Sequence, residues 1–200
     1  ENWRNKILLM DILSLKIGLL TQGVRFSDTA FKEMEQLGSV RGGVFQSVDL
    51  TFPNGLIINS PYRSKFSDMS PYCVEWEANQ FFLSYETVPI SPLNLAPADP
   101  YRNRTASGGT YFHNAVFFAT DRLRVHHEFR CRFKEAGIGC RFCNVKSKTG
   151  CFSIKDVCEV IDFYLEHVPF RHFLIGGGSG KEDEESNNIL TLSRHIRSRS

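Results

Sequence analysis

Five of the chain's six cysteines fall between Cys131 and Cys158, and three of them stand in the stretch CRFKEAGIGCRFCN, Cys131 to Asn144. A disulfide framework spreads its cysteines along a short secreted chain. Clustering of this kind in 200 residues suits a metal or redox site in a reducing compartment. At 42% hydrophobic and 23% charged residues, the chain has enough apolar material to build a core without disulfide staples. The cysteine segment is also basic. From Arg122 to Lys148, eight lysines and arginines stand against Glu128 and Glu135, although the whole chain nets only +2. These cations suit a solvated basic surface or a nucleic-acid patch, or they offset an anionic thiolate cluster and its ligand.

The pattern around this segment predicts an α/β chain in two parts. Apolar residues at Ile7, Leu8, Met10, Leu13, Ile17 and Leu20 keep near-helical spacing, which predicts an amphipathic helix from Trp3 to Leu20 with Gly23 as its stop. FSDTAFKEMEQLG predicts a second helix, with Ser27 or Asp28 as N-cap and Gly38 as terminator. From Gly42 to Ala119 short runs rich in Val, Phe, Ile and Tyr alternate with Gly, Pro and Asn, the pattern of strands and turns. A small α+β module over 1–119 is expected from this. Within it the Pro-rich piece VPISPLNLAPADPYRNRTASGG, near 88–109, reads as a linker, a long loop or a lid.

After Thr120 the order is strand (Leu123 to Phe129), cysteine loop, helix (Ser153 to Val168), strand (RHFLIGGGSG) and helix (SNNILTLSRHIRS). Ser153 with Asp156 resembles a capping pair. Two βα units in succession predict a parallel sheet or the first part of a barrel over 120–200. The apolar run ILLMDILSLKIGLL is interrupted by Asp11, Ser14 and Lys16 and lacks a cleavage site, so neither a signal peptide nor a membrane span is expected, and a cytoplasmic location is. The sequon Asn103-Arg104-Thr105 is a common chance match. A start at Glu1 and a stop inside a helical pattern suggest a fragment or a processed chain.

A structural zinc site takes four protein ligands, commonly two CxxC pairs, and only one CxxC is present, Cys140 to Cys143. His126 and His127 precede the cysteines on a strand whose alternation points them to opposite faces, so at most one of them completes a Cys3His set. Three thiolates match a 4Fe-4S cluster held by three cysteines, with one iron open to an exogenous ligand.

A strand, a cysteine loop with CxΦC (Cys140-Arg141-Phe142-Cys143), a helix, and a strand ending in Gly176, Gly177 and Gly178 resemble the opening two βα units of the radical SAM superfamily. The resemblance covers roughly 120–200 and implies a partial radical SAM (β/α) barrel preceded by the α+β module. It implies that Cys131, Cys140 and Cys143 hold a 4Fe-4S cluster whose open iron is chelated by S-adenosylmethionine. It places Phe142 beside the adenine and the Gly176–Gly178 edge against the methionine amino group. Glycines at a strand end suit that task, because they let backbone carbonyls come close to an ammonium group. The family spacing is CxxxCxΦC, whereas eight residues separate Cys131 from Cys140 here. RFKEAGIG, with its two glycines, would then fold as an excursion, and Cys151 is the alternative third ligand. Cys158 on the helix reads as a buried thiol, and Cys73 has no assigned role.

The resemblance further implies that an electron, from a flavodoxin- or ferredoxin-type donor, enters the cluster and cleaves S-adenosylmethionine to methionine and a 5′-deoxyadenosyl radical that takes a hydrogen atom from substrate. The substrate and any further catalytic residue are unspecified, and a complete barrel needs further βα units. Two other readings use the same residues. One is a non-catalytic zinc or iron-sulfur module that recognises protein or nucleic acid through the basic segment. The other is a nucleophilic enzyme built on Cys140 or Cys143, for which no oriented base is identifiable.

Overall fold

The computed structural model describes residues 11–38, 47–63, 65, 67–128, 130–140 and 152–199. The chain is mixed α/β and divides into two units, 1–98 and 99–200. No helix among the described residues is long and apolar enough to cross a membrane.

In the first unit, helix α1 (Ile12–Gln22) starts at Asp11, whose carboxylate accepts the Ser14 N–H at 2.9 Å, and stops at Gly23 with φ 70°. Its buried face carries Leu15, Gly18 and Leu19, while Leu13, Ile17 and Leu20 are exposed. The inward face is therefore not the Leu13–Ile17–Leu20 stripe that the spacing suggests. Gly18 decides the matter, because the buried Tyr72 side chain lies where a Cβ at this position would stand. Residues 1–10 of the expected helix lie outside the described residues.

After the two-residue strand β1 (Arg25–Phe26), helix α2 (Asp28–Gln36) begins as its caps predict. Ser27 Oγ accepts the Ala30 N–H at 3.2 Å, and Gly38 follows the helix with φ 62°. Strands β2 (Ser47–Thr51), β3 (Ile57–Pro61), β4 (Tyr72–Glu77), β5 (Gln80–Tyr85) and β6 (Val88–Leu95) complete one six-stranded sheet ordered β1-β4-β5-β6-β2-β3. β1 joins β4 in parallel and the other pairs are antiparallel. Leu50, Ile58, Val74, Leu83 and Leu93 from the sheet meet Leu19, Val24, Ala30 and Met34 in the core.

The start of the Pro-rich piece is thus strand β6 rather than a linker, loop or lid. Proline has no N–H to give to a ladder. Here Pro89 and Pro92 pair only towards β5, across a register shift at Leu83/Ser84. The pairing of β6 with β2 is confined to Asn94 and Leu95, beyond both prolines.

The second unit takes in YFHNAVFFAT, which folds as the short helix α3 (Phe112–Ala115) and strand β7 (Val116–Ala119). β7 lies antiparallel to β8 (Arg122–His126), and β8 lies parallel to β9 (His172–Gly176). Between the last two come the single turn α4 (Arg132–Glu135) and helix α5 (Ile154–His167); helix α6 (Glu182–Arg199) follows. Ser153 caps α5 by accepting the Asp156 N–H at 3.1 Å. Leu123 and Val125 of β8 are fully buried with Val157, Val160, Ile161 and Tyr164 of α5 and Leu192 of α6. Burial of side chains this size is worth about 2 kcal/mol each. Asp162 of α5 ties α6 down by meeting His195 Nε2 at 2.9 Å and Arg199 Nη2 at 3.1 Å.

Two polar contacts fix the 99–110 segment on α5. The Tyr164 hydroxyl donates to Asp99, and burial, with that hydrogen bond, pushes the Tyr164 phenol far above its usual range. Asp156, buried, accepts the Gly108 and Thr110 N–H groups at 3.1 Å each. Burial raises its carboxyl, but hydrogen bonds from Thr110, Ser153 and Gly108 outweigh this and hold it below the ordinary carboxylate value.

Candidate functional site

Because β8 and β9 are parallel, their C-terminal ends open on the same edge, the edge at which α/β sheets generally bind ligands. His126 pairs with Gly176 as the last rung, and the ladder continues into the loops beyond. His127 N–H donates to the Gly176 oxygen at 3.1 Å, Gly178 N–H to the Glu128 oxygen at 3.2 Å, and Arg132 N–H to the Ser179 oxygen at 2.8 Å. Three backbone bonds therefore fasten the cysteine loop to the glycine loop.

Glycine is required for this approach. A Cβ on Gly177 would lie 2.7 Å from the Glu128 oxygen. One on Gly178 would overlap the Arg130 carbonyl and stand 3.1 Å from Cys131 Cβ. Gly176, the first of the triplet, has more room, its Cβ position lying 3.8 Å from Arg124 Nε. Cys131 is thus set directly beside Gly178.

Cys131 is the N-cap of α4 and half-buried. Backbone N–H groups of Ser179 and Lys134 hydrogen-bond towards its sulfur and, against a smaller effect of burial, hold the thiol below its ordinary value. Such a shift favours the thiolate, the form in which a cysteine ligates a metal. The residues between Cys131 and Cys140 fold back on themselves. α4 is followed by Gly137 with φ 74°, Ile138 N–H donates to the Phe133 oxygen at 2.8 Å, and Gly139 packs against the Lys134 side chain. Cys140 follows on an exposed position. Phe142 and Cys143, and the alternative ligand Cys151, lie outside the described residues. Among the described residues no group of three or more His, Cys, Asp or Glu side chains is placed to hold a metal.

The two histidines separate as strand alternation requires. His126 Nδ1 lies 2.7 Å from the Asn114 oxygen and is used within the fold. His127 is buried, its Nε2 facing Gly177, and its Nδ1 meets no hydrogen-bonding partner among the described residues. Cys158 is half-buried on α5, where burial pushes its thiol up, with the charge of Asp162 adding to the effect. Cys73, half-buried on β4, is raised for the same first reason.

Sequence reasoning missed Ser179, whose oxygen accepts the Arg132 N–H and whose N–H points to the Cys131 sulfur. A serine between glycines after a strand carries no signal of that role, which belongs to the backbone. No protein-family model matches the chain, and no curated protein and no solved structure shows significant similarity to it.

Proposed function

We propose that the second unit is the cofactor-binding opening of a radical S-adenosylmethionine enzyme, with β8, α5, β9 and α6 as the first two βα units of its barrel. The observation that carries this reading is the fastening of the Cys131 loop to the Gly177–Gly178 loop by backbone hydrogen bonds at one end of a parallel strand pair. A ligand held by the cysteine loop and a ligand received by the glycine edge would then share one site.

The donor set fits a 4Fe-4S cluster in its chemistry. Cys131 is biased towards thiolate by backbone N–H groups, and Cys140 and Cys143 supply two further sulfurs. When bound, the cluster would supply the electron that breaks a carbon–sulfur bond of S-adenosylmethionine. The protein's part is to bind and orient. With the Gly176 oxygen already accepting from His127, the acceptors for the methionine ammonium group would be the Gly177 and Gly178 carbonyls. Phe142, next to the last cysteine, would cover the adenine. The cations of the segment would offset the thiolate charge.

Anaerobic reconstitution with iron and sulfide tests the reading. A brown protein with about four irons per chain, lost in Cys131→Ala, Cys140→Ala and Cys143→Ala, supports it. A colourless protein holding one zinc would overturn it in favour of a structural or recognition module.

A further inference from the structure

The β7–β8–β9 sheet has two unlike faces. Leu123 and Val125 look towards α5 and are buried, whereas the alternate residues of the strands form an open face. On that face the register sets Phe117, Arg124 and Leu174 in one row across the three strands, and Arg122 and His172 in the next. Phe117, Leu174, Arg124 and His172 are all exposed.

Arg124 thus stands in the middle of an open sheet face, between an aromatic and an aliphatic side chain. Arg124 has no carboxylate partner among the described residues. The two acids nearest the ends of β8 are engaged elsewhere, Asp121 with Arg122 at 3.3 Å and Glu128 with the Arg130 N–H at 3.0 Å. The Arg124 side chain also has a definite direction. Its Nε and Nη2 lie 3.8 and 3.9 Å from the Cβ position of Gly176, so the guanidinium rests over the last residue of β9, at the edge where the cysteine and glycine loops meet.

We propose that this face binds the substrate of the same site, and that the substrate carries an oxyanion, a carboxylate or a phosphate, held by Arg124 with His172 in the neighbouring row. The planar fork of an arginine matches either anion. Phe117 and Leu174 give the attached body of the substrate an apolar bed on each side of the charge. The assignment to a substrate rests on the function proposed above, but binding of the anion does not need iron.

The test is a titration of the full chain, free of iron, with inorganic phosphate and with benzoate, following the backbone N–H resonances of Phe117, Leu174 and Gly176, the residues around Arg124, by nuclear magnetic resonance. A saturable shift at these positions in the wild type, weakened about tenfold or more in Arg124→Met and kept only in part in Arg124→Lys, which retains the charge but not the planar fork, is expected. The stronger of the two probes identifies the anion class. No saturable shift, or equal binding by Arg124→Met, overturns the proposal. A second arm repeats the titration on iron-loaded protein with S-adenosylmethionine. Anion binding that persists is expected, whereas displacement by S-adenosylmethionine overturns the substrate assignment, because Arg124 would then serve the cofactor's carboxylate. If no cluster forms but phosphate or benzoate still binds at Arg124, the anion site stands and the radical reading falls.

Discussion

Gly178 and Arg130 approach so closely that a Cβ on Gly178 would fall within the Arg130 carbonyl group, 2.7 Å from its carbon. The glycine loop and the cysteine loop are packed backbone to backbone, and neither can move without the other. Gly178→Ala should therefore push Cys131 away from the Ser179 N–H group. We expect a loss of about 1–3 kcal/mol in stability and slower alkylation of Cys131, read by denaturant melts and by peptide mass spectrometry. Unchanged reactivity at Cys131 would show that the loops are not coupled.

The thiols themselves should differ in order. Cys131 is lowered by backbone hydrogen bonds, while Cys73 and Cys158 are raised by burial. In the native, metal-free protein at neutral pH, iodoacetamide should modify Cys131 about tenfold faster than either, and the gap should narrow as alkaline pH ionises all three. Comparable rates at neutral pH would contradict the electrostatic account.

Asp156 holds the Gly108–Thr110 turn on α5, and its folded pKa lies below the unfolded value of 3.8. A depressed carboxyl stabilises the fold above the unfolded pKa, and that contribution fades as pH falls through the folded one. Asp156→Asn can accept only one of the two backbone N–H groups. It should cost about 2 kcal/mol near neutral pH. The difference from wild type should shrink below pH 3.8, measured by urea melts across pH. A difference that stays constant with pH would assign the cost to packing.

Helix α1 offers a direct check on which of its faces is inside. Gly18→Ala meets the Tyr72 side chain and should destabilise by about 1–3 kcal/mol, whereas Ile17→Ser on the exposed face should change stability by no more than about 0.5 kcal/mol. The reverse order in thermal melts would put the Leu13–Ile17–Leu20 stripe in the core.

These cases show where the sequence was readable. Helices α2 and α5 were legible because Ser27, Gly38 and Ser153 are local signals, each acting within one turn of the helix it bounds. The face of α1 was not, since both sides carry Leu and Ile and the choice was made by Gly18 against Tyr72, 54 positions away. Strand β6 was hidden by Pro89 and Pro92, whose harm depends on which neighbour each proline faces. At the site, the order of cysteine loop, helix and glycine strand end was plain in the residues. The backbone bonds through Ser179, and the direction of Arg124 over Gly176, were not, because neither depends on a residue type that a motif would record.

The most direct test of the central claim is the electron paramagnetic resonance spectrum of the anaerobically reconstituted, reduced protein, recorded with and without S-adenosylmethionine. Shared occupancy of the cysteine and glycine loops predicts a 4Fe-4S signal that changes shape when S-adenosylmethionine is added, and that no longer responds in Gly177→Val. A cluster signal indifferent to S-adenosylmethionine, or no cluster at all, would contradict it.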